Sequence, residues 1–254
     1  MDKNNFIFIT VRSNSSRLPA KAYKKIKDKY TIEYVISQAK KSKLAKNVIL
    51  CTTDLQEDDL LCKIAEDNKI LYFRGSEIDK LERWNGACQK YNVDFFVTAD
   101  GDDLFCSHEL FDLAFKQYNN EPCDFIYGEG LVCGSFTYGI NSMALREVCD
   151  IKDTDDTEMM WVYFTDTNLY NTKPLNGVPE VFKRNDIRMT LDYDDDFKFF
   201  SSVINSINKE DFNTRDVLHF LDQNKNIIDI NFYLEEKWKS NQLSKTKLII
   251  KELQ

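Results

Sequence analysis

Four short apolar runs punctuate the first hundred residues: Phe6–Val11, Val48–Asp54, Ile70–Phe73 and Phe95–Ala99. Each is rich in β-branched or aromatic side chains and has the length of a buried strand. Between them lie stretches with helical spacing. Ile32, Val35, Ile36 and Ala39 share a face behind Thr31, read as a cap, and Leu60, Leu61, Ile64 and Ala65 share another. Leu81 to Tyr91 and His108 to Tyr118 continue the pattern. Strand alternating with helix leaves few architectures open. It predicts a three-layer α/β fold, a mainly parallel, Rossmann-like sheet with helices on both faces. Without repeat, linker or low-complexity stretch, residues 1–254 read as a single domain, less regular at about 123–185.

In that region Phe125–Tyr127 and Phe136–Ile140 read as strands, and Met143–Cys149 and Asp155–Asp166 as helices. Ile187–Leu191 reads as the last strand. Asp194–Ile207, Thr214–Leu221 and Phe232–Ile250 read as closing helices. Arg74–Glu77 reads as a turn.

The first strand runs into Arg12-Ser13-Asn14-Ser15-Ser16-Arg17-Leu18-Pro19-Ala20-Lys21. The carboxyl edge of an open parallel sheet is where ligands bind. Three cations there, among amides and hydroxyls, suit a polyphosphate; the alternative is a solvated basic loop. Two other strand ends carry acids, Asp100-Gly101-Asp102-Asp103 and Asp192-Tyr193-Asp194-Asp195-Asp196. Asp194, Asp195 and Asp196 are explained by the dipole of one helix start. Asp102 and Asp192 sit where a buried strand opens into a loop, and are expected to hold Mg²⁺.

Composition narrows the function. The net charge of −8 argues against a nucleic-acid or anionic-membrane partner, which wants a basic face. No stretch is long and apolar enough to span a bilayer, and the first residues lack a signal-peptide pattern, so a cytoplasmic location is expected. Seven scattered cysteines without a Cys-x-x-Cys pair read as reduced core thiols. Two histidines, His108 and His219, make a histidine-based triad or metal site a poor fit.

The Arg12–Lys21 loop, read as Arg-x-x-Ser-x-Arg-Leu-Pro-x-Lys, resembles the opening signature of the cytidylyltransferases that activate bacterial surface sugars. These include the CMP-Kdo synthetases, the CMP-sialic acid synthetases and the spore-coat polysaccharide cytidylyltransferases. Phe73-Arg74-Gly75-Ser76-Glu77 with Arg83, Val97–Asp102 followed by Leu104-Phe105 and Glu109-Leu110, and Arg188-Met189-Thr190-Leu191-Asp192 resemble further family segments. The likeness runs in order from about residue 6 to about 231. It departs at Asp103-Leu104, where the family often has proline, at the extra acid Asp100, and at Glu158-Met159, where the spore-coat branch has Glu-His. Cys123–Lys173 matches poorly.

The resemblance implies a nucleotide-diphospho-sugar transferase-like fold, and CTP held by the loop with Arg12 and Lys21 on its phosphates. It implies transfer of CMP to a small anionic acceptor, a sugar acid or a sugar or polyol phosphate, with release of pyrophosphate. The product would be a precursor of surface polysaccharide, capsule or glycan. Arg12, Lys21, Asp102 and Asp192 are the expected catalytic residues. Arg12, Ser13, Asn14, Ser15, Arg17, Lys21 and Asp100 are expected around the nucleotide, though the serines and asparagine equally suit loop shaping. Arg74, Arg83 and Glu158 are expected near the acceptor, with ion pairing of the arginines to Glu77 or Glu82 as the alternative. A homodimer is expected. Two other classes stay open: a GT-A-type glycosyltransferase using Asp100-Gly101-Asp102 as an Asp-x-Asp motif, and a non-catalytic nucleotide-binding protein.

Overall fold

The computed structural model describes residues 4–15 and 17–251; Ser16 of the basic loop, the first three residues and the last three lie outside the described residues. Its centre is a seven-stranded sheet in the order β5-β4-β1-β6-β8-β7-β9. The strands are β1 (Asn5–Thr10), β4 (Asn47–Thr53), β5 (Leu71–Gly75), β6 (Phe95–Asp100), β7 (Phe125–Tyr127), β8 (Tyr138–Asn141) and β9 (Thr172–Pro174). β1 pairs in parallel with β4 and β6, β4 with β5, and β7 with β9, while β8 runs antiparallel between β6 and β7. The mainly parallel three-layer arrangement expected from the alternation is present.

Side chains of β1 alternate between two cores, as the strand period requires. Ile7 and Ile9 face one cluster with α1 (Thr31–Ala39), α4 (His108–Asn120) and α7 (Asp194–Ser206). Phe6 and Phe8 face the other, with α3 (Lys80–Tyr91) and α5 (Ser142–Ile151); Phe8 stacks on Phe96 with centroids 4.2 Å apart. The chain leaves β1 for β4 on one side and meets β6 on the other, so the carboxyl end of β1 is a topological switch point.

Several sequence expectations are corrected. Ile187–Leu191 is not a sheet strand. It is an extended, buried segment whose Met189 and Leu191 amides donate to the Cys133 and Asp102 carbonyls, and Cys133 and Arg188 form an isolated bridge. Asp155–Asp166 forms only a four-residue helix, α6 (Val162–Thr165). The predicted Arg74–Glu77 turn starts inside β5, which continues through Gly75. Thr31 does not cap α1: Tyr30 is the N-cap, its amide taken by Glu33. The last predicted helix is a short 3₁₀ turn, Phe232–Leu234, followed by α10 (Glu235–Lys245). β9 and a hairpin of β2 (Lys25–Ile26) and β3 (Lys29–Tyr30) were not foreseen. The remaining helices are α2 (Asp59–Asp67), α8 (Thr214–Gln223) and α9 (Lys225–Ile228). Among the described residues no helix is long and apolar enough to cross a membrane.

Candidate active site

A cavity of about 830 Å³ opens over the carboxyl ends of β1 and β6. One wall is the basic loop, held from beneath. The Ser13 amide donates to Asp58 Oδ1 (2.8 Å), while Asp58 Oδ2 accepts the hydroxyls of Thr52 and Thr53. Burial pushes the Asp58 carboxyl up, but these donors outweigh it and bring its pKa below the ordinary value. Sequence reasoning missed Asp58, because an acid near a helix start looks like a dipole partner. Asn14, Ser15, Arg12, Arg17 and Lys21 line the cavity; Ser13 does not.

Gly101 follows β6 where the backbone passes under the loop. Its amide donates to the Thr10 carbonyl (2.8 Å), and a Cβ would stand 2.6 Å from the Val11 Cβ. That close approach explains the glycine between two acids.

Lys21 brings the two acidic strand ends together. Its Nζ donates to Asp102 Oδ2 (2.5 Å) and Asp192 Oδ1 (2.8 Å), and Asp192 Oδ1 also accepts from Arg17 Nη2 (2.6 Å). The Thr31 hydroxyl, donating to the Lys21 carbonyl, ties this lysine to the start of α1. Burial disfavours the Lys21 charge, yet the two carboxylates outweigh it and raise its pKa. For Asp192, burial is likewise outweighed by Lys21 and Arg17, and its pKa is lowered. Asp192 is 1% exposed and is reached through its cations rather than lining the cavity.

Asp100, Asp102 and Asp103 form an oxygen-donor group whose ligand atoms all lie within 4.8 Å of one another. Burial, then the charges of Asp102 and Asp100, push the Asp103 carboxyl well up. Lys80 answers Asp100 at 3.2 Å. An all-carboxylate donor set beside a polyphosphate-sized cavity fits a hard divalent cation that keeps its other positions for water and phosphate.

The acceptor-side candidates divide. Glu158 lines the cavity and pairs with Arg12 at 2.6 Å. Arg83 also lines it. The residue is 4% exposed and donates to the Ser76 and Glu77 carbonyls; among the described residues it makes no salt bridge, though the Glu158 and Asp58 charges act on it through space. Burial, with Arg12 nearby, lowers its pKa. This corrects the surface pairing with Glu77 or Glu82 considered for it. Arg74 does not reach the cavity: its guanidinium is spent on Asp59 and on the Thr53 and Leu55 carbonyls.

Behind Asp192 lies a buried network that sequence reasoning did not assemble. Arg188, fully buried, donates to Asp196 (2.9 and 3.1 Å) and Glu235 (3.2 Å) and lies 5.2 Å from the Trp238 ring centroid. Asp196 also accepts the amides of Asp192 and Tyr193, so the helix-start role expected of it is present with a second one added.

Comparison with known proteins places these features in context. The sequence model of a family described as Cytidylyltransferase matches residues 6–237. An uncharacterized protein of Methanocaldococcus jannaschii is 29% identical over 231 residues, 90% of this chain and 95% of that one. The spore coat polysaccharide biosynthesis protein SpsF of Bacillus subtilis is 24% identical over 208 residues, 79% of this chain and 86% of that one. The solved structure of a cytidylyltransferase from Leptospira borgpetersenii has a TM-score of 0.79 at 24% identity, covering 89% of this chain and 97% of that one. This last likeness concerns the fold.

Proposed function

The chain belongs to the cytidylyltransferase family, and from that premise we propose that it transfers CMP from CTP to a small anionic acceptor. The observation that carries this reading is Lys21 bridging Asp102 and Asp192, with Arg12 and Arg17 beside it, at the switch point under the cavity. Cations interleaved with acids at one sheet edge suit a nucleoside triphosphate with its counter-cation.

An acceptor oxygen attacks the α-phosphorus of CTP; the new P–O bond forms as the bond to the β-phosphate breaks, and pyrophosphate leaves. Arg12, Arg17 and Lys21 neutralise the β- and γ-phosphates and the leaving pyrophosphate. Asn14 and Ser15 offer hydrogen bonds to the nucleoside, and Ser13 shapes the loop. Mg²⁺ held by Asp102, with Asp100, Asp103 or Asp192, would polarise the phosphoryl oxygens. Arg83, on the cavity lining, is the cation that would hold an anionic acceptor in line. A phosphate acceptor attacks as the anion and needs no base; a sugar acid attacks through a hydroxyl, whose proton passes to solvent and whose acidity a bound cation would raise. SpsF, a relative, is named for polysaccharide biosynthesis, which supports a sugar acid or a sugar or polyol phosphate as acceptor.

The test is pyrophosphate release with Mg²⁺, each of the four nucleoside triphosphates, and two acceptor pools. One pool holds 2-keto sugar acids and the other sugar and polyol phosphates. Release with CTP and one pool is expected. Transfer from a nucleotide sugar without pyrophosphate would replace this reading by glycosyl transfer. CTP binding without turnover on any acceptor would replace it by a non-catalytic one.

A further inference from the structure

Arg12 is not free to meet a phosphate. Its Nη2 is held by Glu158 Oε2 at 2.6 Å and its Nη1 donates to the Glu77 carbonyl at 3.2 Å. Both side chains of the pair are partly exposed, 31% and 47%, so the contact is weak in water and easily exchanged. The loop that carries Glu158 is anything but loose. Asp79, the N-cap of α3, accepts the Glu82 amide and the Thr157 hydroxyl (2.9 Å) on Oδ1, and Lys152 Nζ (2.5 Å) on Oδ2. The Thr157 hydroxyl in turn accepts the Leu81 amide (3.1 Å), and the Thr157 amide reaches the Ile78 carbonyl. Lys152 also ties the Thr154 carbonyl (3.0 Å). Asp79 and Thr157 are buried, and these bonds do nothing for the chemistry directly.

We propose that Glu158 is the counter-ion which an incoming polyphosphate displaces from Arg12, and that the buried Asp79–Lys152–Thr157 clamp positions it there. The inference rests on the reading of the basic loop as a phosphate site. A fixed backbone at Thr157 removes the backbone share of the cost of holding Glu158 on Arg12, so the pair forms but still yields to a stronger anion. A triphosphate offers several charges and planar hydrogen bonding to the guanidinium, and wins the exchange. Glu158 and the clamp residues are positioning residues: each acts through Arg12.

The sign of the effect separates this role from a merely structural one. Calorimetry of CTP and of inorganic tripolyphosphate, each with Mg²⁺, is run on wild type, Glu158→Gln, Thr157→Val and Thr157→Ser. Glu158→Gln should bind both ligands tighter, by up to about fivefold, since a competing ion pair of this exposure is lost. Thr157→Val should move in the same direction by a smaller factor, and Thr157→Ser should match wild type. Unchanged or weaker binding of tripolyphosphate by Glu158→Gln overturns the exchange. Tighter binding by Glu158→Gln with Thr157→Val like wild type, or weaker than it, overturns the clamp. Glu158 is on the surface, so its variant tests the exchange even if Thr157→Val does not fold. If tripolyphosphate binds as expected while CTP gains nothing over it, the exchange stands and the cytidine reading fails.

Discussion

Lys21 and Asp192 show how much one residue can be asked to do. Asp192 is buried and accepts from Lys21 and Arg17, with Arg188 Nη2 3.8 Å away, so its charge is compensated from several sides. Replacing it with asparagine keeps the shape and removes the charge that holds Lys21 between the acids. We expect Asp192→Asn to lower turnover by about 100-fold, the scale of losing one preorganised electrostatic partner. The same change leaves buried cations under-compensated, at a cost of about 3 kcal/mol. That is within the stability of an ordinary domain, so the protein should stay folded. Pyrophosphate release at saturating Mg²⁺ beside a urea titration checks both halves. Normal turnover removes Asp192 from the site.

At the scale of elements, Arg188 is the pin between the 187–192 segment, α7 and α10. Arg188→Met should strand Asp196 and Glu235 in the interior and cost about 3–5 kcal/mol. Hydrogen exchange should show residues 235–245 losing protection first. If Arg188→Met with Glu235→Gln is no more stable than the single variant, the pin is not electrostatic. Gly134 is a second pin. Its φ is +80°, and a Cβ there would stand 2.1 Å from the Met189 carbonyl oxygen. Gly134→Ala combines backbone strain with a clash against immovable main chain, and should destabilise by at least about 2 kcal/mol in the same titration. These contacts explain where sequence reasoning succeeded and where it did not. β1, β4 and β6 announce themselves through runs of β-branched and aromatic residues, and the acids and cations at their ends follow from strand-end logic. Ile187–Leu191 alternates apolar side chains with Arg188 and Thr190, as a strand does, and all five residues are buried. What makes it a loop partner rather than a strand is the Cys133 and Asp102 carbonyls, far away in sequence. Asp155–Asp166 read as a helix because its acids suit an N-terminus, but Thr157 spends its hydroxyl on Leu81 of α3 and on Asp79, and its amide on the Ile78 carbonyl. Arg83 and Glu158 were legible as residue types. That one is buried against backbone carbonyls and the other sits on Arg12 needed three loops placed in space.

At the scale of the whole molecule, the carboxylates around the site include two sets with opposite consequences for stability against pH. Asp192 and Asp58 have folded pKa values below their ordinary 3.8, because their donors outweigh burial. The unfolded chain then binds more protons than the folded one between the folded values and 3.8. This contribution is complete above about pH 4 and is lost as pH falls through the folded values. Asp103 behaves the other way. Burial and two neighbouring acids raise its pKa well above 3.8, so the folded state holds the proton more tightly. Its stabilisation is present at low pH and is lost as pH rises from 3.8 through the folded value. The expected profile of wild type in Mg²⁺-free buffer is therefore a dome with an acid limb and a decline on the alkaline side of it. Urea midpoints measured from pH 2.5 to 8 resolve the two. Asp103→Asn should reduce the alkaline decline, the remainder coming from Asp102, whose pKa burial also raises, and leave the acid limb in place. Asp192→Asn should shrink the acid limb and, because the Asp192 charge helps raise the Asp102 pKa, also soften the alkaline decline. Added Mg²⁺ should oppose the Asp103-linked decline in wild type, since a divalent cation among Asp100, Asp102 and Asp103 stabilises the ionised forms. A decline insensitive both to Asp103→Asn and to Mg²⁺ would place its origin outside this acidic group.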